Sequence, residues 1–376
     1  MRILFACGGT AGHINPAIAV ASYLREHYPE TTILFAGNPN SMEERIVSEN
    51  GFDFQEIAVK GIQRKLNWRN IKYNASSAVL LATATRRSKR LIEGFKPDII
   101  MGTGGYVCGP IVRAGARMGI KTLTHEQNAF PGVTTKLLSK YVDRLLLAVP
   151  EAMEFLDAPK EKLITVGNPV REKILTASRQ KSRERLGVLD DEFLILSFGG
   201  SLGAKRMNEA IAELMRHNIK NKKIKHIHAS GKIGKDYFEE LLDEKIPSWR
   251  EEKNLDIREY ISDMEVPLSA SDLVIGRAGA ITLSEIEAAG KASIVIPSPN
   301  VANNHQLYNA KVLEKNGASI LIEEKDLTDE LLCQKIDELI LDEEKRHKME
   351  KNALKMAILD TNKRIANIIF DLYNSK

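Results

Sequence analysis

An α/β fold of two doubly wound domains is what this 376-residue sequence predicts, on three observations. Apolar runs of strand length alternate with helical patterns along the whole chain. A strand, a Gly-Gly-[Thr/Ser]-x-Gly turn and a helix start occur twice, at 3–16 (ILFACGGTAGHINP) and at 194–204 (LILSFGGSLGA). The length suits two domains, each able to bury its own core.

Strands are expected at 2–6, 32–36, 53–58, 98–101, 121–124 and 144–148, then at 193–198, 224–229, 255–259, 272–276, 292–297 and 319–322. Helical segments separate most of them, which predicts parallel strands joined by right-handed crossovers. Asn15 and Pro16 predict the N-cap and first-turn proline of the first helix. VGNPVRE (166–172) carries Gly and Pro at the midpoint, ahead of the charged segment 171–185, so the boundary is placed there: 1–167 and 168–357. In the last helix Ile365, Ile368, Ile369 and Leu372 share a face, so 358–376 is expected to pack back on the first domain. Open α/β sheets bind ligands beyond the carboxyl ends of their strands. Two such sheets facing across a cleft would bring both glycine loops to it.

Hydrophobic content of 43% and charged content of 28% are ordinary for a globular protein, and a net charge of +4 does not argue for nucleic acid. The charge is uneven, however: from Lys60 to Ile92 there are nine Lys or Arg and no acid. Cys7, Cys108 and Cys333 are odd in number and lack metal-type spacing, which favours a reducing compartment. The apolar stretch before Gly8 is too short for a signal-peptide core, and no run approaches the ~18 residues of a membrane span. The expectation is a cytosolic chain that still touches a membrane.

A glycine-rich turn after a parallel strand admits an anion to backbone N–H groups and to the positive end of the next helix. Two such turns suggest two anionic ligands, or two anionic parts of one reaction. A dinucleotide fingerprint fails, because Thr10 stands where its second glycine belongs and strand two ends in FAGNPN without an acid. No P-loop motif occurs, and the lack of an Asp-x-Asp triplet weakens a metal-bridged site. No cofactor and no metal are expected. Tandem domains that hold a diphosphate by backbone and helix dipole describe a nucleotide-sugar transferase.

Seven strings, GGTAGH, GTGGYVCGP, HEQNAFPG, GNPVR, FGGSLGA, RAGAITLSE and NNHQLYNA, follow one another along essentially the whole chain. Together they resemble the MurG family, bacterial transferases that add N-acetylglucosamine to lipid I. The resemblance implies a GT-B fold and an inverting, metal-independent transfer from UDP-N-acetylglucosamine (UDP-GlcNAc). The acceptor would be the C4 hydroxyl of the muramoyl sugar on undecaprenyl diphosphate, and the product lipid II. It also implies a peripheral enzyme at the cytoplasmic face of the cell membrane, with an anionic membrane surface and other cell-wall synthesis enzymes as partners, and no nucleic acid.

The same resemblance assigns the donor site. Ser201 would bond the diphosphate, Arg171 would meet its departing charge, and Glu285 would accept from the ribose hydroxyls. The Ile261 backbone would meet the uracil, Gln306 the sugar hydroxyls beside Asn304 and His305, and Asn128 would add a contact from the first domain. Ala280 and Thr282, and Thr10, Ala11 and Gly12, complete the contacts. The last three are also placed, with Gly104, Gly105 and Tyr106, on the acceptor side. By residue type alone plain alternatives stay open. Ser201 caps a helix, Arg171 is a solvated cation, and Glu285 is a first-turn acid favoured by the helix dipole. Ile261 is core, Asn128 and Gln306 are turn or cap residues, and Tyr106 is a packed aromatic in a tight turn.

His13 is the candidate general base, since imidazole titrates near neutrality and can take a hydroxyl proton. Binding phosphate or holding the loop are its alternatives, and Glu126 is the reserve base. Segment 61–74 (GIQRKLNWRNIKYN) mixes basic and aromatic residues and is expected to dock on anionic headgroups. UDP-GlcNAc 2-epimerases, glycolipid glucosyltransferases and a non-catalytic UDP-sugar-binding scaffold remain rivals.

Overall fold

The computed structural model describes residues 1–59 and 83–375; the segment 61–74 lies outside them. The chain divides into two compact units, Met1–Pro169 with Asp360–Lys376, and Val170–Leu359.

The first unit is built on β1 (Arg2–Cys7), β2 (Thr32–Gly37), β3 (Asp53–Glu56), β4 (Ile99–Gly104), β5 (Lys121–Glu126), β6 (Arg144–Leu147) and β7 (Leu163–Thr165). All pair in parallel, in the order β3-β2-β1-β4-β5-β6-β7. Helices α1 (Ala11–His27), α2 (Met42–Glu49), α3 (helical over 83–95), α4 (Cys108–Arg117) and α5 (Val133–Leu138) alternate with them. Side chains of a strand alternate between faces, and here both faces are buried. Ile3, Phe5 and Cys7 enter one core cluster, Leu4 and Ala6 the other.

The second unit repeats the plan with β8 (Phe193–Phe198), β9 (Ile224–Ala229), β10 (Leu255–Arg258), β11 (Leu273–Gly276), β12 (Ala292–Val295) and β13 (Ser319–Leu321). Their order is β10-β9-β8-β11-β12-β13, again all parallel. Short helices α6 (Glu172–Leu175) and α7 (Arg179–Leu186) precede the sheet. The helices that follow are α8 (Lys205–Asn218), α9 (Lys235–Lys245), α10 (Glu265–Ala270), α11 (Ala280–Ala288), α12 (His305–Lys315), α13 (Asp329–Leu341) and α14 (Glu343–Met356). The chain then returns to the first unit as α15 (Thr361–Asn374), where Ile365, Ile369 and Leu372 join the cluster of Ile3 and Phe5.

Each sheet grows one way from its first strand and then restarts on that strand's other side. The reversal places the loops after β1 and β4 side by side in one unit, and those after β8 and β11 in the other. This switch point is where open α/β sheets present backbone N–H groups to a ligand.

Two local expectations are corrected. β7 has no counterpart among the expected strands: three half-buried residues are too short for a periodic signal, and pairing with β6 alone defines them. The first helix starts at Ala11, with Thr10 as N-cap, so Asn15 and Pro16 lie inside it. The helix begins at the glycine loop itself, where His13 N–H and Ile14 N–H reach the Thr10 carbonyl at 3.0 and 3.2 Å. It gives up the bond that Pro16 cannot donate to Gly12.

Candidate functional site

In the first unit the switch point gathers three loops. Gly8–Thr10 follows β1, Gly105 and Tyr106 follow β4, and Gln127–Gly132 follows β5. The first two are packed backbone to backbone. A Cβ on Gly105 would lie 2.1 Å from the Gly8 carbonyl oxygen, and one on Gly104 would lie 2.6 Å from Nδ1 of His13. Both glycines have positive φ, 111° at Gly104 and 81° at Gly105, which other residues adopt only with strain. Thr10–His13 and Gly104–Tyr106, predicted separately, therefore form one cluster, with the Tyr106 ring beside Gly9.

His13 is half-buried in the first turn of α1. Its Nδ1 lies 3.0 Å from Oε1 of Gln127, its carbonyl accepts from the Thr103 hydroxyl at 2.7 Å, and Nε2 has no partner among the described residues. The backbone N–H groups of Ala11 and Gly12 also have none there, as expected at a helix start. Gly9 N–H differs, since it donates to Oε2 of Glu43 at 3.3 Å.

Glu126 is buried and fully engaged. Its Oε1 accepts from N and Nδ2 of Asn128 at 3.0 and 3.1 Å, and its Oε2 from Gly132 N at 2.9 Å and the Thr135 hydroxyl at 2.5 Å. Four donors make this carboxylate the clamp of the loop that carries Asn128.

In the second unit the switch point opens on a cavity of about 680 Å3, lined among others by Gly199, Gly203, Gly279, Thr282, Ser298 and Gln306. Volumes of this order suit small-molecule ligands. The glycine loop is shaped from behind: at φ 84° Gly203 comes so close to the β9–α9 turn that a Cβ would lie 2.1 Å from the Ser230 carbonyl. Lys232 N–H and Ile233 N–H bond the carbonyls of Ser201 and Leu202 at 3.1 and 3.2 Å. Ser201 is exposed on this loop and does not cap α8, whose N-cap is Ala204. Gln306 lines the cavity and accepts from Ser298 N–H through Oε1 at 2.8 Å, which leaves its amide nitrogen as a donor. Ala280 and Thr282 lie in the first turn of α11, where helix N–H groups and dipole favour an anion.

Glu285 lies in the second turn of α11, so the first-turn alternative does not apply. It is buried and accepts from Nε of Arg171 at 2.8 Å. Burial pushes its carboxyl above the usual range, and the Arg171 charge opposes that shift. The Arg171 side chain is 44% exposed, and neither of its Nη groups has a partner among the described residues. The Ile261 side chain is core, while its N–H and C=O are unbonded among the described residues.

Three residues that sequence reasoning passed over belong to these sites. Glu43 looked like an ordinary helix-start acid beside the Ser41 cap. Gln127 lies inside HEQN, between Glu126 and Asn128, and its residue type alone signals no chemistry. Arg277 lines the cavity and donates through Nη1 to the carbonyls of Ile296 and Pro297, while Nη2 pairs with Glu324. A charged residue directly after an apolar strand was its available signal.

Residues 3–147 match the glycosyltransferase family 28 N-terminal domain and 194–365 the C-terminal domain of that family. A protein of Acetivibrio thermocellus is 41% identical over 377 residues, covering 100% of this chain and 99% of its own. It is named UDP-N-acetylglucosamine–N-acetylmuramyl-(pentapeptide) pyrophosphoryl-undecaprenol N-acetylglucosamine transferase. The crystal structure of Acinetobacter baumannii MurG superposes with a TM-score of 0.78 at 28% identity, over 98% of this chain and 99% of that one. A Neisseria meningitidis UDP-GlcNAc 2-epimerase bound to UDP-GlcNAc gives a TM-score of 0.67 at 15% identity, over 99% and 100% of the two chains. The last likeness is one of fold alone.

Proposed function

The chain belongs to glycosyltransferase family 28, and from that membership we propose that it transfers N-acetylglucosamine from UDP-GlcNAc to the muramyl-pentapeptide of an undecaprenyl-diphosphate acceptor, forming lipid II. The full-length relationship to transferases of that name carries this conclusion. The GT-B architecture, with a glycine loop at the switch point of each sheet, supports it.

The donor falls to the second unit. The free N–H and C=O of Ile261 suit the uracil edge, and buried Glu285 suits the ribose hydroxyls. The unpaired Nη groups of Arg171, the Gly199–Ala204 loop with Ser201, and the start of α11 with Ala280 and Thr282 suit the diphosphate. The amide nitrogen of Gln306 suits a sugar oxygen. Among the described residues no three His, Cys, Asp or Glu gather to hold a metal ion. Arg171 and the helix N-termini meet the charge that builds on UDP.

The acceptor falls to the first unit, at Thr10–His13 and Gly104–Tyr106. His13 takes the proton of the attacking C4 hydroxyl at Nε2 as the new C–O bond forms at the anomeric carbon and the bond to UDP breaks, inverting that centre. Glu126 holds the Asn128 loop and does not take the proton. Replacing His13 by Ala is expected to lower kcat by ~10²–10⁴, the range for a lost general base, and to leave UDP affinity unchanged. Near-normal turnover of that variant would overturn the assignment.

No helix among the described residues is long and apolar enough to cross a membrane. Peripheral docking of the first unit on the anionic inner face of the cell membrane, beside other cell-wall enzymes, fits the acceptor's lipid tail. Exposed Val133 and Leu137, one turn apart on α5 beside Lys136, support docking through that unit.

A further inference from the structure

Gln127 stands between two histidines. Its Oε1 lies 3.0 Å from Nδ1 of His13, while its Nε2 lies 2.9 Å from the Thr103 carbonyl oxygen, 3.1 Å from the His125 carbonyl oxygen and 3.0 Å from Nδ1 of His125. What each atom can do sets the direction of these bonds. A backbone carbonyl only accepts, so the amide nitrogen of Gln127 faces Thr103 and the amide oxygen faces His13. An amide oxygen also only accepts, so His13 must present N–H at Nδ1.

The far side of the amide is held just as firmly. Nε2 of His125 donates to the Gly167 carbonyl at 2.8 Å, which leaves Nδ1 to receive the Gln127 amide. Burial pulls the His125 pKa below its ordinary value, so this imidazole is neutral and keeps that lone pair. The Gln127 carbonyl accepts from Nδ2 of Asn168 at 3.2 Å. Gln127 is 4% exposed and His125 fully buried, so water does not compete for the chain. The two protons of the amide nitrogen are shared among three acceptors, the Thr103 and His125 carbonyls and His125 Nδ1, which fixes that end as the donor and leaves the amide oxygen to His13.

The geometry points to Gln127 as the positioning residue that sets the tautomer of His13, holding the proton on Nδ1 and leaving the Nε2 lone pair to accept one. This rests on the proposed role of His13 as base. An imidazole with its proton on Nε2 would donate where that step needs an acceptor. A carboxylate at this position would add a charge; the amide orders the ring without one.

The test uses the full-length protein labelled with ¹⁵N in histidine, with the His13 signals identified by their loss in His13→Ala. At alkaline pH the wild type is expected to show a protonated Nδ1 and an unprotonated Nε2. Gln127→Met keeps the length and removes the acceptor. It should mix the two tautomers and lower kcat by about 10–10²-fold, with the KM for UDP-GlcNAc nearly unchanged. A wild-type His13 protonated on Nε2, or a wild-type pattern in Gln127→Met, would each overturn the proposal. Unchanged turnover in His13→Ala would remove the base assignment instead, and the nitrogen shifts would still decide the tautomer.

Discussion

Arg171 donates through Nε to Oε1 of Glu285 at 2.8 Å, joining the residue assigned to the diphosphate with the one assigned to the ribose. These two parts of UDP are neighbours, so a paired Arg and Glu can meet them together. Glu285→Ala is expected to raise the Kd for UDP by roughly 10–100-fold, the scale of a lost charged hydrogen-bond set. It should affect a 2′,3′-dideoxyribose analogue far less. Arg171→Ala should also weaken UDP, and the double variant should lose less than the product of the two. Titration calorimetry decides, and fully additive losses would mean that the pair does not act as a unit.

Gly104 is expected to tolerate no side chain. Alanine there would meet Nδ1 of His13 and strain a backbone at φ 111°, so Gly104→Ala should displace the ring. Turnover should fall by about 10² or more while UDP binding stays near wild type, because the donor residues lie in the other unit. A parallel loss of UDP affinity would place Gly104 in the donor site.

Acid should destabilise the second unit through a buried trio. The Ser197 hydroxyl bonds Nε2 of His226 at 2.7 Å and Nδ1 of His228 at 2.8 Å, and both rings are out of water. Burial pushes His228 down to about 3 and His226 well below its ordinary value. Above pH ~6.5 neither state binds these protons and the trio adds no pH dependence. Below it the unfolded chain takes up protons that the folded one refuses, so stability falls as pH drops toward 3, by on the order of 1–2 kcal/mol per histidine at pH 5. Urea midpoints at pH 7.5 and 5 should differ less in His226→Gln/His228→Gln than in wild type. Equal differences would assign the acid sensitivity elsewhere.

The basic segment 61–74 is expected to carry membrane affinity. Replacing Arg64, Lys65, Arg69 and Lys72 by Gln should release the protein from anionic vesicles, at about 1 kcal/mol per charge. Turnover of a short-chain soluble acceptor should persist. Co-sedimentation that is unchanged in the quadruple variant would move the docking face, with Val133 and Leu137 next to replace.

The parts of this molecule legible in the sequence are those that local pattern determines. Buried parallel strands such as ILFAC and LILSF are continuous apolar runs, and the glycine turns after them announce a backbone that something approaches closely. What stayed hidden depends on contacts across the fold. Leu163–Thr165 becomes a strand only because β6 pairs with it. Glu285 reads as a first-turn acid until the start of α11 is known. Glu43 and Gln127 matter only because α2 and the loop after β5 are brought against the loop after β1, and nothing in their own segments records that meeting.

Incubating the protein with UDP-GlcNAc labelled in the sugar and a lipid I analogue, with EDTA present, separates metal-independent transfer from its rivals. Label is expected to pass to the analogue as a β-linked disaccharide, with one UDP released per transfer and no need for divalent metal. Label that stays in an isomerised UDP-sugar, or transfer silenced by EDTA and restored by Mg²⁺, would contradict it.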